Sequence, residues 1–427
     1  MKLTTLLALA LTATTAAAQR GGPPAPPVPF LIRDVTVIDG TGAAARPHMD
    51  VVVREGQIVV LAPTGTARAA LPDSLIDGRG LFAIPGLIDS HVHLGTGSWE
   101  QRVEMLRGAI NGGVTSVLDM AGDTRATGDL QRAVLAGQIT GPRIAYIALF
   151  GGPAFFTDPR VLDASRGFAP GTAPWGQSLA DSTNMALAIA RARGTGAFAI
   201  KLYAALDSTM VTRATIEAHR QGMRVIAHAT TFPGLPSDLV SAGADMLAHA
   251  PYLVWQGSPR TADFPARARG DFLGVPAAGP EMSRLLMQMR EQAVALNPTF
   301  FVFDAQRVDS VANVRTPWMY AVTRRAAQLG VRIVSGTDGL YDARRDSMPG
   351  IHRELELLVT GAGFTPLDAI ATATRDGAWA IGASSRLGTI AAGMTADLVL
   401  LGADPSVDIR NTRSVRVVIQ DGKVIRR

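Results

Sequence analysis

From about residue 84 to residue 385 the chain alternates short, continuously apolar runs with longer amphipathic stretches, and this alternation narrows its possible folds more than any other feature. Residues 81–94, 114–120, 143–150, 197–203, 223–229, 245–252, 295–302 and 331–338 read as eight buried strands. Unbroken apolar runs suit strands covered on both faces, as in a parallel sheet wrapped by helices. Residues 178–193, 210–221, 281–293 and 317–329 carry helical periodicity between them. Eight strands alternating with helices predict an α/β chain built on a TIM (β/α)8 barrel spanning residues 84–385, with its site at the C-terminal strand ends. A doubly wound open sheet satisfies the same periodicity.

The flanks have a different rhythm. Residues 30–83 and 386–427 alternate with the period of a strand, punctuated by Asp39-Gly40, Glu55-Gly56, Gly393, Asp404-Pro405 and Asp421-Gly422. The two arms are expected to pair into one small composite β-sandwich. Ahead of them, Met1-Lys2, an apolar stretch over residues 3–15 and Ala16-Ala17-Ala18 have the layout of a signal peptide over residues 1–18. Residues 19–29, five of them proline, read as a linker that cannot build a core. The protein is therefore expected to be exported, periplasmic or secreted. No run reaches the roughly 20 apolar residues of a spanning helix, so no stable membrane insertion is expected.

Charge and cysteine usage exclude several classes. The net charge is +5 in 427 residues, without a dense basic run, so no nucleic-acid partner is expected and the partner is a small-molecule substrate. A homo-oligomer stays open. There is no cysteine, hence no disulfide framework, no thiolate nucleophile and no sulfur metal site. A metal would fall to His, Asp, Glu or a modified side chain.

Lysine usage points to one position. Of 41 Lys and Arg residues only Lys2, Lys201 and Lys423 are lysines, so the interior keeps a single amine at Lys201. An amine can lose its proton and react, whereas a guanidinium stays charged. Lys201 falls at the end of the fourth expected strand, His91 and His93 at the first, His228 at the fifth, His249 at the sixth and Asp338 at the eighth. All six would face one mouth. His91 and His93, one residue apart on a strand, project to the same side.

Residues 85–94, Pro-Gly-Leu-Ile-Asp-Ser-His-Val-His-Leu, resemble the opening signature of the amidohydrolase superfamily, and residues 388–399 resemble its closing β segment. The order HxH, Lys, His, His, Asp is similar to the binuclear branch with a carboxylated lysine. Residues 200–203, 227–229 and 247–249 look like its imidazolonepropionase-related and Xaa-Pro dipeptidase-like members. The resemblance implies two divalent metal ions, zinc suiting the imidazoles. By that pattern His91, His93 and Asp338 hold one ion, His228 and His249 the other, and a CO2-derived carbamate on Lys201 bridges them with a hydroxide. Asp338 then takes the hydroxide's proton and passes it to the leaving amine. Electrostatics agrees on the lysine: an ammonium about 4 Å from a unit charge is repelled by roughly 4 kcal/mol, and each divalent ion doubles that. A carbamate is an anion with two oxygens.

The function so implied is hydrolysis of an amide or peptide bond in a small exported substrate, a dipeptide or N-acyl amino acid. Hydrolysis of another C–N or ester bond, as in a cyclic amide or a deaminase-like reaction, is the alternative, and a non-catalytic binding protein is the reading from another class. Tyr203, Tyr252 and His352 follow the ligand strands closely enough to contact substrate, with packing as their other reading. His48 and His219 are expected at the surface, Asp119 supporting the mouth and Asp397 at a turn or sheet edge. Many members of the branch carry a histidine after a Gly-Gly pair beyond the third strand. Here residues 151–156 are Gly-Gly-Pro-Ala-Phe-Phe, which favours a more apolar substrate or makes a lid.

Overall fold

At Gly86 the chain crosses from one sheet into another. A computed structural model describes residues 27–67, 72, 74–259, 264–305, 312–340 and 347–426. The expected signal and most of the proline-rich linker lie outside the described residues. The single strand expected over residues 81–94 is two strands, Phe82–Pro85 and Leu87–Val92. Between them a Cβ on Gly86 would lie 2.2 Å from Thr115 Oγ1, so the crossing needs a glycine.

The first of these strands belongs to an eight-stranded sheet made from both chain arms. Leu398–Leu401 pairs antiparallel with Phe82–Pro85, placing Leu398 opposite Pro85 and Leu401 opposite Phe82. Phe30–Val37, Arg46–Arg54 and Gln57–Pro63 extend one edge, and Val415–Gln420 and Lys423–Arg426 the other. Alternate residues such as Val35, Val51, Ile58, Leu398 and Leu400 bury a separate apolar core. Asp397 is buried there and not at an exposed edge: it pairs with Arg143 at 3.0 Å and accepts from the Asp421 amide at 2.8 Å. Arg143, at the start of a parallel strand, thus bolts the arm sheet to the rest of the fold.

The remaining strands run parallel apart from the short antiparallel pair Thr172–Ala173 and Gly176–Ser178. Leu87–Val92, Val114–Asp119 and Arg143–Tyr146 pair in order, and Ala148–Gly151, Ala199–Leu202, Arg224–His228, Met246–Ala248 and Ala295–Asn297 continue the series. The third expected strand breaks at Ile147, whose amide still reaches Asp119 O at 3.2 Å. The circuit returns on itself, since Ile333 bridges Leu296 and the Ser90 amide donates to Ser335 O at 3.2 Å. The eighth expected strand, residues 331–338, is reduced to that one bridge. Gly336 passes so close to the first strand that a Cβ would meet His91 Cβ at 2.6 Å, and Asp338 turns to φ 59°, outside strand geometry.

Helices cover the outside of the circuit. Ser208–Arg220 and Pro280–Glu291 bury an apolar stripe each, and Ala312–Gln328 begins a turn and a half earlier than expected, with Pro317 inside it. Its first turns are anchored by buried Ala312, Arg315 and Thr316. No helix among the described residues is long and apolar enough to cross a membrane.

Candidate metal and substrate site

The strand ends bring the candidate ligands together. The buried His91 and the half-open His93 place Nε2 at 3.5 and 2.9 Å from Asp338 Oδ1. The His249 ring lies 5.0 Å from His91 and 4.5 Å from His228. Lys201 is fully buried, and its positive charge acts on His91, His228 and His249. Among the described residues, His91, His249 and Asp338 bring one ligand atom each within 4.8 Å of one another. That trio takes members from both of the ligand sets the resemblance implies.

Neighbouring groups settle which ring nitrogens face inward. Asn297 Nδ2 donates to Val334 O at 2.8 Å, so its Oδ1 is left to accept from His91 Nδ1, also at 2.8 Å. His93 Nδ1 can only donate to Ala121 O, at 3.2 Å, and His249 Nδ1 meets Thr299 Oγ1 at 2.9 Å. With Nδ1–H donating outward, a neutral His93 presents a bare Nε2 lone pair to a carboxylate oxygen 2.9 Å away. Two acceptors at that distance need a cation or a proton between them. This is the arrangement of metal-binding histidines oriented by outer hydrogen bonds. His228 Nδ1 is buried with no hydrogen-bond partner among the described residues.

The electrostatics follows the burial. Burial pushes His249 down to about 3 and His228 well below its ordinary value, the latter with help from His249 and Lys201, keeping both imidazoles neutral. Neutral imidazole is the form that binds metal. Burial works to raise Asp338, yet His91, His93 and His249 outweigh it and hold the carboxylate ionised. Burial pushes the Lys201 amine down to about 7 against the pull of Asp338. Its one hydrogen-bond partner among the described residues is the Met120 thioether, 3.9 Å away. A reactive neutral amine is thus within reach at neutral pH.

The amidohydrolase family's sequence model matches residues 82–425. The chain belongs to that family. It is 37% identical to an imidazolonepropionase of Syntrophobacter fumaroxidans over 90 residues, 21% of this chain and 20% of that one. The curated relatives it matches are covered over only about a fifth of their own length. Solved structures align over nearly everything. A Xaa-Pro dipeptidase with methionine bound in its active site superposes with a TM-score of 0.73 at 22% identity, covering 93% of this chain and 100% of the other. The ochratoxinase of A. niger gives a TM-score of 0.72 at 20% identity over 94% and 96%. At those identities the likeness is one of fold.

Within this amidohydrolase the other sequence candidates separate. Tyr203 and Tyr252 border the cluster: the Tyr203 ring is 3.9 Å from His228, and Tyr252 is 5.3 Å from His249. His352 does not reach it. Its ring is fully buried between Thr412 Oγ1 at 3.0 Å and Gly112 O at 2.9 Å, so both nitrogens are spent on packing the helix Ile351–Thr360. His48 and His219 are surface residues paired with Asp34 and Asp245. Asp119 accepts from Thr127 Oγ1 at 2.6 Å and from the Leu94 amide at 3.3 Å, below His93. A cavity of about 660 Å³ opens beside His93 and Tyr203, walled by Leu149, Phe155 and Val161. Phe155 stacks on Tyr203 at 4.5 Å, whereas Phe156 packs beside Gly171 and Gly176.

Sequence reasoning missed Asp89, Asn297 and Thr299. Asp89 is buried and accepts from the Thr337 amide at 3.0 Å, Thr337 Oγ1 at 2.7 Å and the His91 amide at 3.3 Å. It ties the His91 strand to the Asp338 turn. The signal was present, since Asp89 lies in the opening signature and Asn297 and Thr299 stand at the end of the seventh strand, where polar residues need a reason.

Proposed function

We propose that this chain is an exported metal-dependent amidohydrolase that cleaves an amide or peptide bond in a small substrate, a dipeptide or an N-acyl amino acid. The observation that carries the reading is the gathering of His91, His93, His228, His249 and Asp338 at the strand ends with a fully buried lysine amine that has no oxygen partner among the described residues. His91, His93 and Asp338 would hold one ion and His228 and His249 a second, with the carbamate of Lys201 between them. Divalent ions, zinc foremost with imidazole ligands, supply a polarised carbonyl and a water acidified towards neutral pH.

The protein's own groups do the rest. The neutral Lys201 amine adds CO2 and releases one proton, exchanging a neutral group for an anion where cations must gather. Asp338 stays ionised and accepts the proton of the attacking water, then delivers it to the leaving nitrogen. Tyr203 and Tyr252 are placed to hold the substrate's polar groups, and Phe155 gives the cavity an apolar wall.

Under this reading the closed circuit of parallel strands is the (β/α)8 barrel over residues 84–385, and the arm sheet is its accessory β-sandwich. Return of the hydrogen bonds to the first strand supports the barrel over an open sheet. The deciding experiment is metal analysis paired with hydrolysis of a dipeptide and N-acyl amino acid panel. Two ions per chain, with activity lost to a chelator and regained with zinc only when bicarbonate is supplied, are expected. A metal-free protein that hydrolyses the panel, or a zinc-loaded one that hydrolyses none of it, would overturn the proposal. Export is tested by the mature N-terminus, expected near Gln19.

A further inference from the structure

The short helix Phe300–Ala305, which follows the seventh strand, takes its cap from another helix. The first amides of a helix have no partner within it, and a threonine just ahead of it ordinarily supplies one from its hydroxyl. Thr299 holds that place, but its Oγ1 lies 2.9 Å from His249 Nδ1, turned to the candidate metal centre. Glu354, on the helix Ile351–Thr360 beyond the Asp338 turn, reaches across instead. Its Oε2 accepts from the Phe301 amide at 2.6 Å, with the Phe300 amide close by.

Glu354 is fully buried, and its Oε1 has no hydrogen-bond partner among the described residues. Burial, with the charges of Asp89 and Asp304, pushes its carboxyl up to about 8 against the pull of the two amides, so at pH 7 it is a neutral acid. Burying a carboxyl with one oxygen unpaired is costly, and an apolar side chain would fill the same space without that cost. What an apolar side chain cannot do is occupy the Phe301 amide. The segment so held bears on three candidate ligands. Asn297 orients His91, Thr299 orients His249, and a Cβ on Gly339, next to Asp338, would meet the Phe301 ring at 3.3 Å.

We propose that Glu354 is a positioning residue: by holding the Phe301 amide it frees the Thr299 hydroxyl to hold the His249 imidazole. Without it the uncapped amides compete for that hydroxyl, and His249 loses the contact that fixes its ring. The carboxyl thus acts on the metal centre through Thr299 while touching neither metal nor substrate. The assignment rests on the metal reading of the histidine cluster.

The test reads zinc affinity, not turnover. Zinc binding to the full chain, with bicarbonate present, is measured by competition with a chelating dye, and the metal-free proteins are unfolded in urea. Glu354→Met is expected to weaken zinc about 10- to 100-fold, the range for loss of an outer support of a ligand. Glu354→Gln keeps an oxygen for the Phe301 amide and should stay within about threefold of wild type, less than one typical hydrogen bond. Thr299→Val should show a loss of its own, and the double variant should be no more than about threefold worse than the poorer single one, since both act on one contact. His352→Phe, on the same helix, is the control: it should lose stability with zinc affinity unchanged. Should Glu354→Met fail to fold, Glu354→Asp, whose carboxyl is one methylene short of the amide, takes its place. Glu354→Met binding zinc as wild type does, a Glu354→Gln variant no better than Glu354→Met, or single losses that simply multiply in the double variant would each overturn the assignment and leave the metal reading standing. A wild type that binds no zinc would overturn both.

Discussion

Replacing Lys201 by methionine should make the metal-free protein more stable while destroying the function proposed for it. Methionine is unbranched and close to lysine in volume, one atom shorter, and would sit towards the Met120 sulfur that is already the amine's partner. The gain follows from the proton. The ammonium titrates near 10.5 in the unfolded chain, and burial brings it to about 7 in the folded one, so folding works against protonation. That penalty is full below pH 7, shrinks as the pH climbs from 7 towards 10.5, and is gone above it. Each pH unit in that window is roughly 1.4 kcal/mol, giving about 4 kcal/mol at pH 7 and about 2 kcal/mol at pH 9. Urea unfolding of chelated, CO2-free wild type and Lys201→Met at the two pH values measures both figures. The expected outcome is a variant more stable by a few kcal/mol at neutral pH, with a gap that narrows by about half at pH 9, and no two-metal binding. A variant less stable than wild type at pH 7, or a gap indifferent to pH, would refute the argument that the amine is held there against its own solvation.

Asp89→Asn removes the acceptor that joins Thr337 to the His91 strand, and metal affinity should drop about 10- to 100-fold, read by competition with a chelating dye. His352→Phe takes the ring partner from Gly112 O and from Thr412 Oγ1, which keeps its bond to Ile409 O, so it should lose about 1–3 kcal/mol in urea unfolding with kcat/KM within about twofold of wild type. Phe155→Ala opens the cavity beside Tyr203 and should lower the preference for apolar over polar acyl groups by about tenfold or more, the worth of 1–3 kcal/mol of lost contact. Phe156→Ala, whose ring packs away from the cavity, should cost stability without moving that ratio.

Much of the candidate site was legible because its proposed ligands sit where strand periodicity ends. His91, His93, Lys201, His228 and His249 each close or follow an apolar run, and polar residues there have few structural uses. The eighth strand was misjudged because residues 331–334 have strand composition while Gly336-Thr337-Asp338 obeys a tertiary constraint, the close pass against His91, that no local pattern carries. His352 was placed near the mouth on chain proximity alone. The partners that decide its role, Gly112 and Thr412, are 240 and 60 residues distant.

The backbone at the candidate ligands completes the physical picture. His249 and Asp338 both adopt left-handed conformations, φ 74° and 59°, which cost a non-glycine residue about 1–3 kcal/mol each. Both are pinned by a backbone hydrogen bond to a neighbouring strand end, His249 N to Asn297 O at 2.8 Å and Asp338 N to His91 O at 2.7 Å. Asn297 therefore fixes His249 through its carbonyl and His91 through its side chain, while His91 fixes Asp338 through its own carbonyl. Each candidate ligand in this chain of contacts is positioned by another or by the residue that positions another. The strain is local, but the restraint is shared, so relaxing one member should loosen the rest, and the cluster is expected to lose its metal-binding geometry as a unit.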